Sequence, residues 1–213
     1  LLIITISCFI IFSSCEKEET PEETCEYGPT NNANDASFTK QGLFENITNN
    51  YIIPSLENYK NNVNELKNST DVFSQDPNEQ NLTSLKDKWY NAILAWQKVS
   101  FITFGPADNI FLKEKTNIYP ADTATIDANI TNGTINFAPE PIPGSSNINY
   151  KGDIKGFQAL DYLLHKKGES PAERVTYLSN PNAINYLTAI TQELFDNAEY
   201  VFNEWNNGYQ TSF

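Results

Sequence analysis

The sequence predicts an all-α protein, a bundle of up-and-down helices interrupted by one long irregular loop. Three observations lead to this prediction. Apolar residues recur at steps of three and four over long stretches, as they do along the buried face of a helix. Pro and Gly are concentrated between those stretches, where they end helices and mark loops. The 213 residues, 39% of them hydrophobic, are enough for one folded domain with a core.

The first 36 residues are predicted to lie outside this domain. Residues 1–12 form an uncharged apolar run, too short to span a bilayer comfortably, that resembles the hydrophobic region of a secretory signal without its basic n-region. We interpret residues 1–14 as a signal peptide and Cys15 as the lipid-modified residue of a bacterial lipoprotein. Residues 15–36 form a polar tether, and residues 37–213 the helical domain. The alternative is an ordinary cleaved signal with an incidental Cys.

Charge and cysteine usage exclude several kinds of partner and site. The formal net charge is −13, which argues against nucleic acid and against adsorption to anionic lipid. With Cys8 in the signal and Cys15 lipidated, Cys25 is left alone, so no disulfide framework or zinc cluster is expected. The sequence contains no Met, which favours a fragment of a longer chain.

The first helix of the domain is predicted to begin near Ser37, a suitable N-cap. Pro54 falls within its pattern and should kink or split it, and a polar break follows at residues 68–80. One buried stripe is expected at Phe44, Ile47, Tyr51, Ile52, Leu56, Tyr59, Val63 and Leu66.

The second helix is the best-defined element of the sequence. Trp89 and Trp96 are seven residues apart on its apolar face and are expected to lie in the core. Gly105-Pro106 should stop this helix. Its apolar face is predicted to comprise Leu82, Leu85, Trp89, Ile93, Trp96 and Val99.

Residues 132–150 carry three Pro and two Gly without a period, and they predict the long loop. This loop leads into a short helix, residues 155–165. Gly156 at the start of that helix would let another backbone or a ligand come close. Gln158 and Asp161 are three residues apart, so their side chains leave the same face of the helix. Polar groups in this arrangement beside an apolar seam are how helical bundles build interior sites.

Two further helices complete the domain. Ser170-Pro171-Ala172-Glu173 predicts a capping box with Pro at the first helical position, and Asn180-Pro181 restarts the chain. Asn207-Gly208 is predicted to stop the last helix. The apolar residues of that helix are Ile184, Leu187, Ile190, Leu194, Ala198, Val201, Phe202 and Trp205.

The segment around Gly156 resembles the GxHxxE signature of the imelysin family, bacterial envelope proteins described as metallopeptidases and linked to iron-regulated uptake. Gly156 matches the family Gly, whereas Gln158 stands at the His position and Asp161 at the Glu position. Two other segments, 104–106 and 118–122 ahead of Ile126-Asp127, resemble family segments in the same order. The resemblance covers the chain from about Phe44 onward and implies the first helical bundle of a two-bundle protein at the outer membrane.

Two functions follow from this resemblance. The first is a binding or iron-uptake-associated protein without peptidase activity, with Gly156, Gln158 and Asp161 lining a site for a small ligand or an envelope protein. The alternative for Gln158 and Asp161 is that they only satisfy backbone groups at a contact between helices. The second is a metal-dependent peptidase, for which iron or another divalent cation would be the cofactor. Asp161 and His165 are the candidate metal ligands for that second reading. Because Gln offers only an amide oxygen where a metal would take an imidazole nitrogen, the first function is the preferred prediction.

Overall fold

In a computed structural model, residues 39–166 and 169–212 of the chain are described, and they form an all-α domain as predicted. The proposed signal peptide, Cys15, the tether and Ser37 lie outside the described residues. The helices are α1 Lys40–Ile47, α2 Ile53–Gln75, α3 Glu79–Gln97, α4 Pro106–Asn109, α5 Leu112–Thr116, α6 Thr123–Asn132, α7 Gly156–His165, α8 Pro171–Leu178, α9 Pro181–Glu204 and α10 Gln210–Ser212.

Three long helices make the body of the domain. Helix α2 packs against both α3 and α9, and the buried apolar side chains of all three form one cluster. Helix α7, the segment with the family-like motif, contacts α3, α5, α6 and α9. The motif helix therefore joins two of the three long helices to the short helices α5 and α6. Among the described helices, none is both long and apolar enough to cross a membrane.

The interruption predicted at Pro54 is present as a π-helical turn, Thr48–Ile52, which joins α1 to α2. The amide of Ile53 donates to the carbonyl of Thr48, five residues back, which widens the helix just ahead of the proline. Proline has no amide hydrogen and its ring crowds the preceding turn, so a wider turn accommodates it without breaking the chain direction.

The predicted buried stripe is correct only from Ile52 onward. Phe44, Ile47 and Tyr51 are exposed, and α1 contains no buried residue. The apolar pattern defines a face, but burial also needs a partner, and it is α2 that packs on α3 and α9. The predicted polar break at residues 68–80 begins too early in the chain, because α2 continues to Gln75 and Phe73 is buried.

The second half of the domain follows the predicted order. The 132–150 loop is irregular apart from one antiparallel pair, β1 Glu140–Pro141 with β2 Ile148–Asn149. Ser170 and Glu173 form the predicted capping box at α8. The predicted stop at Asn207-Gly208 is wrong, because α9 continues through a second π-helical turn, Trp205–Tyr209, into α10.

Candidate functional site

The entry to the motif helix is packed tightly against α5. Gly156 has a φ of 71°, and a Cβ atom at this position would collide with the carbonyl oxygen of Thr116. At Gly152 a Cβ atom would collide with the carbonyl oxygen of Glu114. The close approach predicted at Gly156 is therefore made by a second backbone, the carboxyl end of α5, and two glycines are needed for it.

The Gln158 side chain joins α7 to the segment after α5. Its amide nitrogen donates to Oδ1 of Asn117 over 2.9 Å, and the side chain is half-buried. An amide–amide hydrogen bond of this kind satisfies two polar groups at a contact between elements. The geometry of Gln158 is thus that of a packing contact.

Asp161 and His165 form a pair on the outer side of the same helix. Nδ1 of His165 lies 3.1 Å from Oδ1 of Asp161, and the side chains are 34% and 48% exposed. The imidazole also lies against the ring of Trp89, with 4.8 Å between the ring centroids. Partial burial lowers the pKa of His165 below its ordinary value; the charge of Lys86 lowers it too, against the opposing effect of Asp161.

The residues at the motif positions do not fit a catalytic metal. Such a site takes about three protein ligands together with an open position for water. Asp161 and His165 supply two potential metal ligands, but these two side chains pair with each other. The Gln158 amide donates its hydrogen bond to Asn117. Within residues 39–166 and 169–212 there is no group of three His, Cys, Asp or Glu side chains placed to hold a metal ion.

Tyr162, directly after Asp161 on the motif helix, belongs to a hydrogen-bonded cluster that local sequence patterns do not predict. Tyr162 donates to Oδ2 of Asp127 over 2.7 Å, and Tyr177 donates to Oδ1 of the same carboxylate over 3.1 Å. Burial, with the Asp127 charge as a further cause, raises the pKa of both phenols, that of Tyr177 to about 12. The cluster links α6, α7 and α8. The only signal in the sequence was Asp127, which follows a family-like segment.

A cavity of 510 Å³ adjoins this cluster. It is lined by Asp127, Ile130, Thr131, Thr176, Tyr177, Asn180 and Asn182. A second cavity, of 730 Å³, is lined by residues of α1, α10 and the first π-helical turn. Neither cavity is lined by Gly156, Gln158 or Asp161. The motif residues and these two cavities are therefore in different places.

Lys155, directly before the motif helix, is buried with a hydrogen-bonded ammonium group. Its Nζ donates to Oε1 of Glu193 over 2.6 Å and to the carbonyl oxygen of Phe137 over 3.1 Å. Burial lowers the pKa of Lys155, an effect that the Glu193 carboxylate partly offsets. This pair fastens the long loop, through Phe137, to α9.

Comparison with known proteins gives a family and a solved structure of similar fold. The family model described as Imelysin matches residues 52–213. A crystal structure of a "putative iron-regulated protein A precursor" from Parabacteroides distasonis is 18% identical, with a TM-score of 0.67. The match covers 81% of this chain and 47% of the other, so this chain spans about half the length of that protein. Among curated proteins, none matches the sequence.

Proposed function

Since the chain belongs to the imelysin family, we propose that it is an iron-uptake-associated binding protein of the cell envelope, without peptidase activity. The observation that carries this proposal is the state of the motif side chains. Gln158 donates a hydrogen bond to Asn117, and Asp161 is paired with His165. Both side chains are therefore engaged by neighbours, and they do not form a set of ligands around one metal position. The association with iron is supported by the name of the structural neighbour.

The second candidate is a metal-dependent peptidase, which the family resemblance implies. In that case a divalent cation would bind at Asp161 and His165 and activate a water molecule for attack on a peptide bond. The Asp161–His165 contact is the observation in favour of this candidate. The donor set described above lacks a third ligand, and we therefore place this function second.

A peptidase assay separates the two functions. The purified chain would be incubated with fluorescently labelled casein and unfolded insulin, with and without added zinc or iron(II). We expect no cleavage above that of a heat-inactivated sample. Cleavage that a chelator abolishes, and that Asp161→Asn and His165→Gln both reduce at least tenfold, would establish the peptidase and overturn the proposal. Lys67→Gln, at the half-buried ion pair with Asp71 on α2, provides a matched control.

The envelope location rests on Cys15, which would carry the lipid anchor. The test is expression in a bacterium behind a complete secretion signal, with labelled fatty acid in the medium. We expect the label to enter the protein and the protein to sediment with membranes. Cys15→Ser should abolish both results, whereas Cys25→Ser should change neither. Labelling that survives Cys15→Ser would rule out this anchor.

A further inference from the structure

Arg174, in the first half of α8, is almost fully buried. Its side chain is 2% exposed, and its guanidinium carbon lies 4.1 Å from the centroid of the Tyr177 ring. Within the part of the chain that the structure describes, none of Nε, Nη1 and Nη2 makes a hydrogen bond. Buried polar groups are nearly always bonded, and a guanidinium has five N–H donors to satisfy. The geometry thus contains donors without an acceptor.

The neighbouring carboxylates do not supply that acceptor. Oε2 of Glu169 lies 3.3 Å from Nε of Arg174 but is itself without a hydrogen bond, and Oε1 lies 3.3 Å from Nζ of Lys166. One carboxylate thus serves two cations, both at long distance. The Asp127 carboxylate accepts from two tyrosine hydroxyls instead, as described above. Nη1 and Nη2 of Arg174 are left for another group.

We propose that Arg174 and Lys166 form a binding site for a small oxyanion, a carboxylate or a phosphate. Two parallel N–H groups of a guanidinium match two oxygens of either group, which makes arginine the usual residue for such ligands. Lys166 supplies a second positive charge, and its side chain is 39% exposed to solvent. Glu169 occupies this position in the structure and competes with the ligand. The inference does not depend on the proposed function.

The overall charge of the protein makes this site straightforward to test. A chain with a net charge of −13 repels anions in general, so saturable binding of an anion requires a local site. The full chain would be titrated calorimetrically at constant ionic strength with sodium phosphate and, separately, with sodium malonate. The side-chain Nε–H signal of Arg174 would be followed by NMR in the same samples. We expect one of the two anions to bind saturably and to shift this signal.

Three variants and a control decide the outcome. Arg174→Lys keeps the charge but loses the two parallel donors, so affinity should fall at least tenfold, and Arg174→Gln should abolish binding. Glu169→Gln removes the internal competitor and should increase affinity about tenfold. Glu65→Gln, which removes a carboxylate from the exposed ion pair with Lys88, should leave affinity unchanged. Circular dichroism of each variant checks that it is folded.

The two anions distinguish the two classes of ligand. Saturation by malonate alone assigns the site to carboxylates, and saturation by phosphate alone assigns it to phosphates. The proposal is overturned if neither anion binds to the wild-type chain or to Glu169→Gln, or if Arg174→Lys binds as well as the wild type does. Glu169→Gln and Arg174→Lys both keep the positive charges at positions 166 and 174. The test therefore remains decisive even if Arg174→Gln fails to fold.

Discussion

Gly156 is one of the two glycines on which the contact between the motif helix and α5 depends. Its left-handed backbone and the absence of a side chain are both required, because the carbonyl oxygen of Thr116 occupies the space of a Cβ atom. We predict that Gly156→Ala lowers the free energy of unfolding by at least about 2 kcal/mol, from backbone strain and steric displacement together. Urea unfolding followed by circular dichroism measures this change.

Gly144 offers a matched control for this prediction. Its φ of 75° is close to that of Gly156, but apart from its two chain neighbours no described residue has an atom within 4 Å of a Cβ built there. Gly144→Ala should therefore cost only the backbone term, about 1 kcal/mol. Equal losses for the two variants would mean that contact with α5 contributes nothing.

The pKa of His165 can be measured by NMR. His165 is the only histidine in the chain, so its NMR signal needs no assignment. Its pKa should lie below the ordinary value of 6.5, with partial burial as the main cause. Asp161→Asn should lower this pKa further, because the Asp161 charge raises it, and Lys86→Gln should raise it. A pKa that rises in Asp161→Asn would contradict the pairing of these residues.

The lowered pKa of His165 also fixes the sign of a pH effect on stability. Just below pH 6.5 the unfolded chain binds a proton that the folded chain does not yet bind. The contribution of this group to stability is therefore complete above the unfolded pKa and declines as the pH falls through the window below it. Urea midpoints between pH 5 and 8 should show this decline, and His165→Gln should reduce it.

The sequence was informative about some of these residues and silent about others. Gly156 was identified because glycine at a helix start signals a close approach, which needs no knowledge of the partner. The contact of Gln158 with Asn117, by contrast, joins positions 41 residues apart, and nothing in local periodicity encodes such a pairing. Tyr162 and Tyr177 were missed for the same reason, since their shared partner, Asp127, lies on another helix.

At the scale of elements, Lys155 connects the long loop to α9. Its ammonium group is buried, whereas Glu193 is 27% exposed. We predict that Glu193→Leu costs about 3 kcal/mol of stability, because it leaves a buried charge with only a carbonyl partner. Lys155→Met should cost less, since Glu193 can then be hydrated. The double variant should be more stable than the sum of the single losses implies, as measured by urea unfolding.

The same variants test whether this pair fastens the loop. Hydrogen exchange of amides near Phe137 should accelerate in both single variants, because Lys155 bonds the Phe137 carbonyl and its ammonium group lies 5.6 Å from the ring centroid. Additive stability losses, with exchange near Phe137 unchanged, would mean that the pair and the loop are independent.

Helix boundaries show which elements local sequence can predict. The capping box at Ser170 and the restart at Asn180-Pro181 were correct because caps and proline act within one helical turn. The ends of α2 and α9 were misplaced because tertiary packing extended the helices. Phe73 is fully buried beyond the first polar residues of the predicted break after α2, and Tyr209, beyond the predicted stop at Asn207-Gly208, packs against the ring of Trp205.

At the scale of the whole molecule, family and fold agree with the prediction from sequence. The family model covers residues 52–213, and the solved neighbour has the same fold at 18% identity. Helical periodicity and the order of three short segments were sufficient for this. Function, in contrast to fold, depends on a few side chains at the motif positions. These side chains differ from the family signature at Gln158 and Asp161.

Metal analysis of the purified full chain tests directly whether the motif helix holds a metal ion. The protein would be incubated with iron(II), zinc or calcium, dialysed, and analysed by mass spectrometry for bound metal, alongside Asp161→Asn and His165→Gln. We expect no stoichiometric metal to be retained by a chain that circular dichroism shows to be folded. One equivalent of metal in the wild-type chain, lost in both variants, would contradict this expectation and establish a metal site on the motif helix.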